Sequence, residues 1–145
     1  EIAGRGDQRI EQQLRTAAGA DARLHVELDH VSVARKVELF RRASLVVLPY
    51  TAFASQSGVL HDAYAQGRPV IVTDVGALGD TVREDGTGIV VPPGDAAALA
   101  QTVEGLLSDR ARLAGYAERA GAVREARSPA RIGPLLRMTY EAAGR

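Results

Sequence analysis

The chain has 145 residues, enough for one domain that buries roughly two-thirds of the surface its unfolded form exposes. Its 18 basic and 18 acidic residues cancel and form no basic stripe, which argues against nucleic acid as a partner. No cysteine, signal peptide or apolar run of membrane-spanning length is visible, so disulfides and thiol chemistry are excluded and we expect a cytoplasmic protein.

The chain opens as if partway through a strand. Ile2-Ala3 is typical of a strand end and Gly4-Arg5-Gly6 of a tight turn, after which Asp7 caps a helix to about Ala18. A dinucleotide-binding fingerprint needs a third glycine where Arg9 stands, so this turn by itself favours an ordinary connection. With no initiator methionine, we interpret the chain as a fragment of a larger protein.

Further along, one strand and one helix have clear patterns. Leu24–Leu28 alternates apolar and polar residues, which predicts a strand with one more exposed face. Ser32 then caps a helix that extends through Arg42.

The central stretch predicts a β–loop–α–β unit with a right-handed crossover. Leu45–Leu48 is apolar, as in a strand buried on both faces of a parallel sheet, and Pro49 ends it. Ser55 or Ser57 caps the next helix, Gly67 and Pro69 end it, and Val70–Val72 is a second buried strand.

The start of that central helix is the chemical feature of the chain. The N–H groups of its first turn and its positive dipole end face the carboxyl ends of the strands, where open α/β sheets bind ligands. Gly58 has no Cβ, so a phosphate could approach the backbone there. Asp62, about one turn further, could accept two hydroxyl hydrogen bonds from a ribose, although a carboxylate near a helix start also interacts well with the dipole.

The remaining pattern completes an alternation of strands and helices. Gly79–Glu84 predicts at most a short helix, and Ile89–Val91 a short strand. Asp95 caps a helix to about Leu107, and Ser108 and Ser128 open two more. We therefore predict an α/β fold, a doubly wound parallel sheet flanked by helices.

Other chemistries find little support. The three histidines, His25, His30 and His61, are widely separated and lack partners at metal-ligand spacing, so no metal is expected. Ser57 lies in no Gly-x-Ser-x-Gly elbow, so it is not interpreted as a nucleophile.

The run Asp62-Ala63-Tyr64-Ala65-Gln66-Gly67-Arg68-Pro69-Val70 resembles the donor-binding segment of retaining family 4 glycosyltransferases, which have the GT-B fold. That family has a glutamate before Ala-x-Ala-x-Gly-x-Pro-Val. The run Gly88–Asp95, which precedes a helix, also resembles the family. Two positions depart from the pattern: Asp62 replaces this glutamate, and Ala54 stands where the family has an earlier one.

The resemblance implies that residues 1–145 form a single nucleotide-sugar-binding domain, the Rossmann-like C-terminal half of a GT-B fold without its first strand–helix unit. It implies transfer of a sugar from a nucleoside-diphosphate sugar to an acceptor with retention, without cofactor, and association with a membrane only through a lipid acceptor. The acceptor-binding N-terminal domain would be missing, so we expect the fragment alone to be inactive; its catalytic residues are not assigned. The implied contacts are diphosphate at Ser57, Gly58 and Val59, ribose at Asp62, nucleobase at Val31 and Ser32, and a cleft rim at Gly4, Gly6, Tyr50 and Gln56.

Two alternatives remain. Ala54 is compatible with a non-catalytic nucleotide-sugar-binding subunit or pseudoenzyme. A flavodoxin-like regulatory domain is the other, although Gly4-Arg5-Gly6 offers no acidic pocket of the receiver type.

Overall fold

The computed structural model describes residues 1–52 and 57–143. The chain forms two compact units, Glu1–Leu39 and Phe40–Arg145. The single domain over 1–145 stays a prediction. The helices and strands, in chain order, are β1 Ile2–Ala3, α1 Gln8–Ala20, β2 Val26–Glu27, α2 Val33–Arg42, β3 Val46–Leu48, α3 Gly58–Ala65, β4 Val70–Thr73, α4 Leu78–Asp85, β5 Gly88–Val91, α5 Ala96–Ser108, α6 Arg110–Ala126 and α7 Pro129–Ala143.

The smaller unit is built on the parallel pair β1–β2, in which Ile2 lies opposite Val26. The predicted cap of α1 is confirmed, since the Asp7 carboxylate accepts the N–H of Ile10 at 3.0 Å. Arg35, in the first turn of α2, donates to Glu27 on β2 at 2.8 Å and to Glu1 at 3.1 Å. The Arg35 side chain is 30% exposed. These ion pairs connect α2 with β2 and with Glu1, the residue before β1.

The larger unit contains a parallel sheet in the order β3-β4-β5. Each residue of the central strand β4 is buried. The sequence predicted β3 as a strand buried on both faces, and this is wrong: only Leu48 is buried, while Val46 and Val47 are half-buried. Within this sheet β3 has a neighbour on one side only, so its other side is less covered.

Helices cover both faces of this sheet. Val70 and Val72 pack with Leu60 of α3 and Val82 of α4, whereas Ile71, one residue out of phase, packs with Leu106 of α5. Alternate residues of a strand point to opposite faces, so β4 contributes to two separate apolar clusters. The predicted α/β fold of parallel strands flanked by helices is confirmed.

The boundaries of the helices differ from prediction in two places. Asp109, not Ser108, caps α6, because its carboxylate accepts the N–H of Arg112 at 2.9 Å. The short helix predicted over Gly79–Glu84 forms as α4, which is one residue longer at each end, and it ends at Gly86 in the left-handed conformation, with φ +61°. None of the described helices is long and apolar enough to cross a membrane.

A buried pair of hydroxyl groups holds the carboxyl end of α3. The hydroxyls of Tyr64 and Thr87 lie 2.6 Å apart, and both residues are almost fully buried. Burial raises the pKa of Tyr64 to about 12, so its phenol stays protonated at neutral pH. The turn after α3 follows prediction: Gly67, with φ +63°, donates its N–H to the carbonyl of Tyr64 at 2.8 Å.

Candidate functional site

The amino end of α3 is built as the sequence predicted, with Ser57 as its cap. The Ser57 Oγ accepts the N–H of Leu60 at 3.3 Å, and the Ser57 carbonyl accepts the N–H of His61 at 3.4 Å. Ser57 is only 2% exposed, so its side chain serves the helix and not the surface. Gly58 and Val59 occupy the first turn, where a helix provides no acceptors of its own for backbone N–H groups.

The backbone at Gly58 is left uncovered by the residues that the structure describes. Gly58 is exposed, and a Cβ added there would meet no atom of the described chain within 4 Å. Val59 is 38% exposed. Since β3 precedes α3 and β4 follows it in a parallel sheet, this turn lies at the carboxyl edge of the sheet. An anion could therefore approach the backbone at Gly58 and Val59.

Asp62 lies four residues beyond Gly58, one turn along α3, and is half-buried. It already takes part in at least one noncovalent interaction within the structure. Its carboxylate oxygens are of the type that accepts hydrogen bonds from hydroxyl groups.

Tyr50, predicted at the cleft rim, follows β3 at the same edge and is half-buried. Its carbonyl accepts a hydrogen bond from the Thr73 Oγ1 at 2.5 Å. Sequence reasoning missed Thr73, although a hydroxyl that ends an otherwise apolar Val-Ile-Val-Thr strand was a usable signal.

A second feature missed from the sequence follows β4. The Arg83 guanidinium binds Asp74 through both nitrogens, with Nη1–Oδ1 at 3.1 Å and Nη2–Oδ2 at 2.5 Å, and also binds Asp80 at 3.0 Å. A Cβ added at Gly79 would overlap the Asp74 carboxylate, so only glycine leaves room for this pair. The hydrogen bonds from Arg83 hold the pKa of Asp74 below its ordinary value.

Acid should therefore weaken the ion pair between Arg83 and Asp74. Because the pKa of Asp74 is lower in the folded chain than in the unfolded one, the ion pair stabilises the folded state at neutral pH. That contribution should be lost as the pH falls below about 4 toward the folded-state pKa. An NMR titration of the Asp74 carboxyl carbon measures the pKa, and Arg83→Gln should raise it. A pKa unchanged by Arg83→Gln would contradict this assignment.

The remaining predicted contacts, at Gly4, Gly6, Val31 and Ser32 of the smaller unit and at Gln56, keep their status as predictions. Ser32 accepts the N–H of Arg35 at 3.2 Å and so acts as a helix cap, while Val31 is half-buried. Gly4, with φ +128°, and Gly6 donate their N–H groups to the Glu27 carbonyl and the Glu11 carboxylate, respectively. Gln56, Ser55 and Ala54 lie outside the described residues.

In the ranges 1–52 and 57–143, no group of three His, Cys, Asp or Glu side chains is placed to hold a metal ion.

The larger unit is an α/β structure, a parallel sheet with helices on both faces and a capped helix start at its carboxyl edge, which is the edge where open α/β sheets bind ligands. Residues 1–109 match the family described as glycosyl transferases group 1, and the chain belongs to that family. The predicted glycosyltransferase resemblance is confirmed.

Two relatives illustrate the family. The chain is 38% identical over 106 residues to a phosphatidyl-myo-inositol mannosyltransferase of Mycobacterium leprae (strain TN), covering 73% of this chain and 28% of that protein. It is 36% identical over 110 residues to a D-inositol 3-phosphate glycosyltransferase of Nocardia farcinica (strain IFM 10152), covering 75% of this chain and 24% of that protein. The chain thus spans less than a third of these relatives.

A solved structure has a similar fold. The Anabaena protein HepE in complex with UDP-glucose superposes with a TM-score of 0.75 and 22% identity, over 97% of this chain and 40% of that one. At this identity the likeness shows the fold alone.

Proposed function

We propose that the chain is the donor-binding domain of a glycosyltransferase that moves a sugar from a nucleoside-diphosphate sugar to an acceptor with retention of configuration. One observation carries this function: at the carboxyl edge of the sheet, the Ser57-capped start of α3 carries the exposed residues Gly58 and Val59, and no described atom lies within 4 Å of a Cβ built on Gly58. Membership in the glycosyl transferases group 1 family supports it.

The chemistry at this site is electrostatic. As the bond between sugar and diphosphate breaks, negative charge accumulates on the departing diphosphate. The positive end of α3 and the N–H groups of Gly58 and Val59 stabilise that charge, while the Ser57 side chain keeps the first turn in place. Asp62 accepts hydrogen bonds from the ribose hydroxyls.

The expected affinity of this half-site follows from these contacts. The helix dipole contributes roughly 0.3–2 kcal/mol to binding of the diphosphate. Charged hydrogen bonds between Asp62 and the ribose add roughly 1.5–3 kcal/mol. Their sum is comparable to the ~4 kcal/mol that corresponds to millimolar binding.

The other assignments belong to the same proposal. Residues 1–145 act as one nucleotide-sugar-binding domain in the cytoplasm, without a cofactor. A domain outside this chain binds the acceptor, and the protein associates with a membrane only through a lipid acceptor. Within the smaller unit, Val31 and Ser32 contact the nucleobase. The assignment of Gly4, Gly6, Tyr50 and Gln56 to the cleft rim stays a prediction from the sequence.

A second candidate is a non-catalytic nucleotide-sugar-binding subunit. It is favoured by Ala54, which replaces the first acidic residue of the resembled motif. Both candidates predict nucleotide binding, so sugar transfer by the complete protein distinguishes them. Turnover of a nucleotide sugar supports the enzyme, and tight binding without turnover supports the subunit.

Nucleotide binding is tested by NMR on the 145-residue chain, after a cooperative thermal transition has shown that it folds. UDP or GDP at millimolar concentration should shift the amide resonances of Ser57, Gly58, Val59 and Asp62. Asp62→Asn should raise the Kd roughly tenfold, because the side chain keeps its shape and loses only its charge.

Glu104→Gln is the matched control. Glu104 is an exposed carboxylate on α5, so its loss removes the same charge at another place and should leave the Kd unchanged. If UDP, GDP and ADP at several millimolar all leave these four resonances in place, the donor site is not at the start of α3.

A further inference from the structure

Tyr64 lies in the last turn of α3, the helix whose first turn is the proposed diphosphate site. Its hydroxyl lies 2.6 Å from the Oγ1 of Thr87, and the two residues are 2% and 0% exposed. Thr87 stands between Gly86, which ends α4, and Gly88, which begins β5. The hydrogen bond therefore joins α3 to the amino edge of the sheet, at the opposite end of the helix from Gly58.

Thr87 is held in place by the backbone of the sheet. Its carbonyl accepts the N–H of Val70, the first residue of β4, at 3.2 Å. The next residue, Gly88, lies directly opposite Val70 in the pairing of β4 with β5. Every residue of β4 is buried, and core strands are the parts of a fold that open least easily. Thr87 is therefore a fixed partner for the hydroxyl of Tyr64.

Apolar packing alone defines the position of α3 along its own axis less sharply. Leu60, Ala63 and the ring of Tyr64 are buried on one face of the helix, but the hydrophobic effect has no direction. A hydrogen bond between hydroxyl groups requires about 2.5–3.0 Å between the oxygens. A slide of α3 by one residue rise, about 1.5 Å, would break it and deprive two buried hydroxyl groups of each other. The pair thus selects one position of the helix.

The position of the last turn of α3 sets the position of the first. Gly58 and Tyr64 belong to the same helix of eight residues. The ring of Tyr64 contacts the ring of His61 edge-on, with centroids 6.5 Å apart, and the N–H of His61 donates to the carbonyl of Ser57 at 3.4 Å. A slide or rotation of the helix therefore moves the N–H groups of Gly58 and Val59 with it.

The Tyr64 hydroxyl acts as a neutral group. Asp85, at the end of α4, accepts a hydrogen bond from Arg127 at 2.7 Å, and its side chain is 11% exposed. Burial first, and the charge of Asp85 in addition, raise the pKa of Tyr64 to about 12. Tyr64→Phe therefore removes a hydrogen-bonding group at neutral pH without changing the charge of the chain.

We propose that Tyr64 is a positioning residue for the nucleotide site: its hydrogen bond with Thr87 fixes α3 on the sheet and thereby the place of the Gly58 and Val59 N–H groups. The inference rests on the proposed function, and Tyr64 acts on the ligand only through α3. Ordinary structural support would lower the stability of the fold without altering the first turn of α3 or the affinity for nucleotide.

The test begins with Tyr64→Phe, which keeps the ring and removes the hydroxyl. In the ligand-free chain, the amide resonances of Gly58 and Val59 should shift, although both lie in the turn farthest from the substitution. In a titration with UDP or GDP, the Kd should rise roughly threefold to tenfold, the range of one net hydrogen bond. Tyr140→Phe is the matched control. Tyr140 is 76% exposed on α7, so the same change there should leave the resonances and the Kd unchanged.

The partner hydroxyl provides a second test. Thr87→Val keeps the shape of the side chain and loses the hydroxyl, so it should reproduce the shifts and the weaker binding of Tyr64→Phe. Thr87→Ser keeps the hydroxyl and should bind nucleotide like the wild type. In the double variant with Tyr64→Phe and Thr87→Val, the Kd should rise no further than in either single variant, because both substitutions remove the same hydrogen bond.

Two results would overturn the proposal. One is a Tyr64→Phe chain that binds nucleotide with the wild-type Kd, even if its thermal midpoint falls. The other is a Thr87→Ser chain as impaired as Thr87→Val, since that would assign the effect to the methyl group; this comparison decides the matter even if Tyr64→Phe does not fold. A wild-type chain that binds no nucleotide overturns the proposed function instead, and the role of Tyr64 in binding falls with it.

Discussion

The Gly88→Ala variant is expected to lose more stability than any other single substitution considered for this chain. Gly88 lies on β5 directly opposite Val70 of the central strand, and a Cβ at Gly88 would overlap the backbone carbonyl of Val70. A backbone carbonyl within a buried ladder cannot turn aside as a flexible side chain can. The two strands would have to separate, which would disturb the apolar clusters on both faces of β4.

Gly88→Ala should lower the free energy of unfolding by about 3 kcal/mol or more, at the upper end of what overpacking produces. The total free energy of unfolding of a domain of this size is roughly 5–15 kcal/mol. Thermal unfolding followed by circular dichroism should therefore show a midpoint lowered by roughly 10 °C, or no cooperative transition at all.

Gly105→Ala is the matched control for this substitution. Gly105 lies inside α5, and a Cβ there would meet nothing within 4 Å in the described chain. The same chemical change should leave the midpoint unchanged or raise it, because alanine favours helix by about 1 kcal/mol over glycine. Equal midpoints for Gly88→Ala and wild type would show that β5 does not approach Val70 this closely.

The second large effect concerns ligand binding. Gly58→Asp should abolish millimolar binding of UDP or GDP while leaving the fold intact. The new side chain would extend from the first turn of α3, where no described atom lies within 4 Å of a Cβ at position 58 and where the diphosphate is proposed to bind. Two like charges about 4 Å apart repel by roughly 4 kcal/mol near a protein surface, which exceeds the gain from the helix dipole.

Gly58→Asp should lower the affinity for nucleotide without lowering the stability of the fold. A carboxylate in the first turn of a helix interacts favourably with the dipole, so the thermal midpoint should be unchanged or higher. Gly58→Asn separates charge from size and should weaken binding less than Gly58→Asp. Nucleotide binding by Gly58→Asp with the wild-type Kd, measured from the same amide shifts, would place the diphosphate elsewhere.

The sequence alone determined the class of fold and the place of the candidate site. Apolar runs at Leu45–Leu48, Val70–Val72 and Ile89–Val91, separated by capped helical segments, predicted strands that the structure confirms within a residue or two. Caps and turns such as Ser57 and Gly67 were also predictable. Such signals are local, since a cap and the N–H it accepts lie three residues apart in the chain.

Tertiary structure decided which segments distant in the chain contact one another. The hydrogen bond from Thr73 to Tyr50 and the ion pair of Asp74 with Arg83 each depend on which segments come to lie side by side. The requirement for glycine at position 88 depends on the register that sets it against Val70. The half-buried state of β3 likewise follows from its place at one side of the β3-β4-β5 sheet. Strand order and register arise from contacts between residues distant in the chain, and the local pattern of a single sequence carries no information about them.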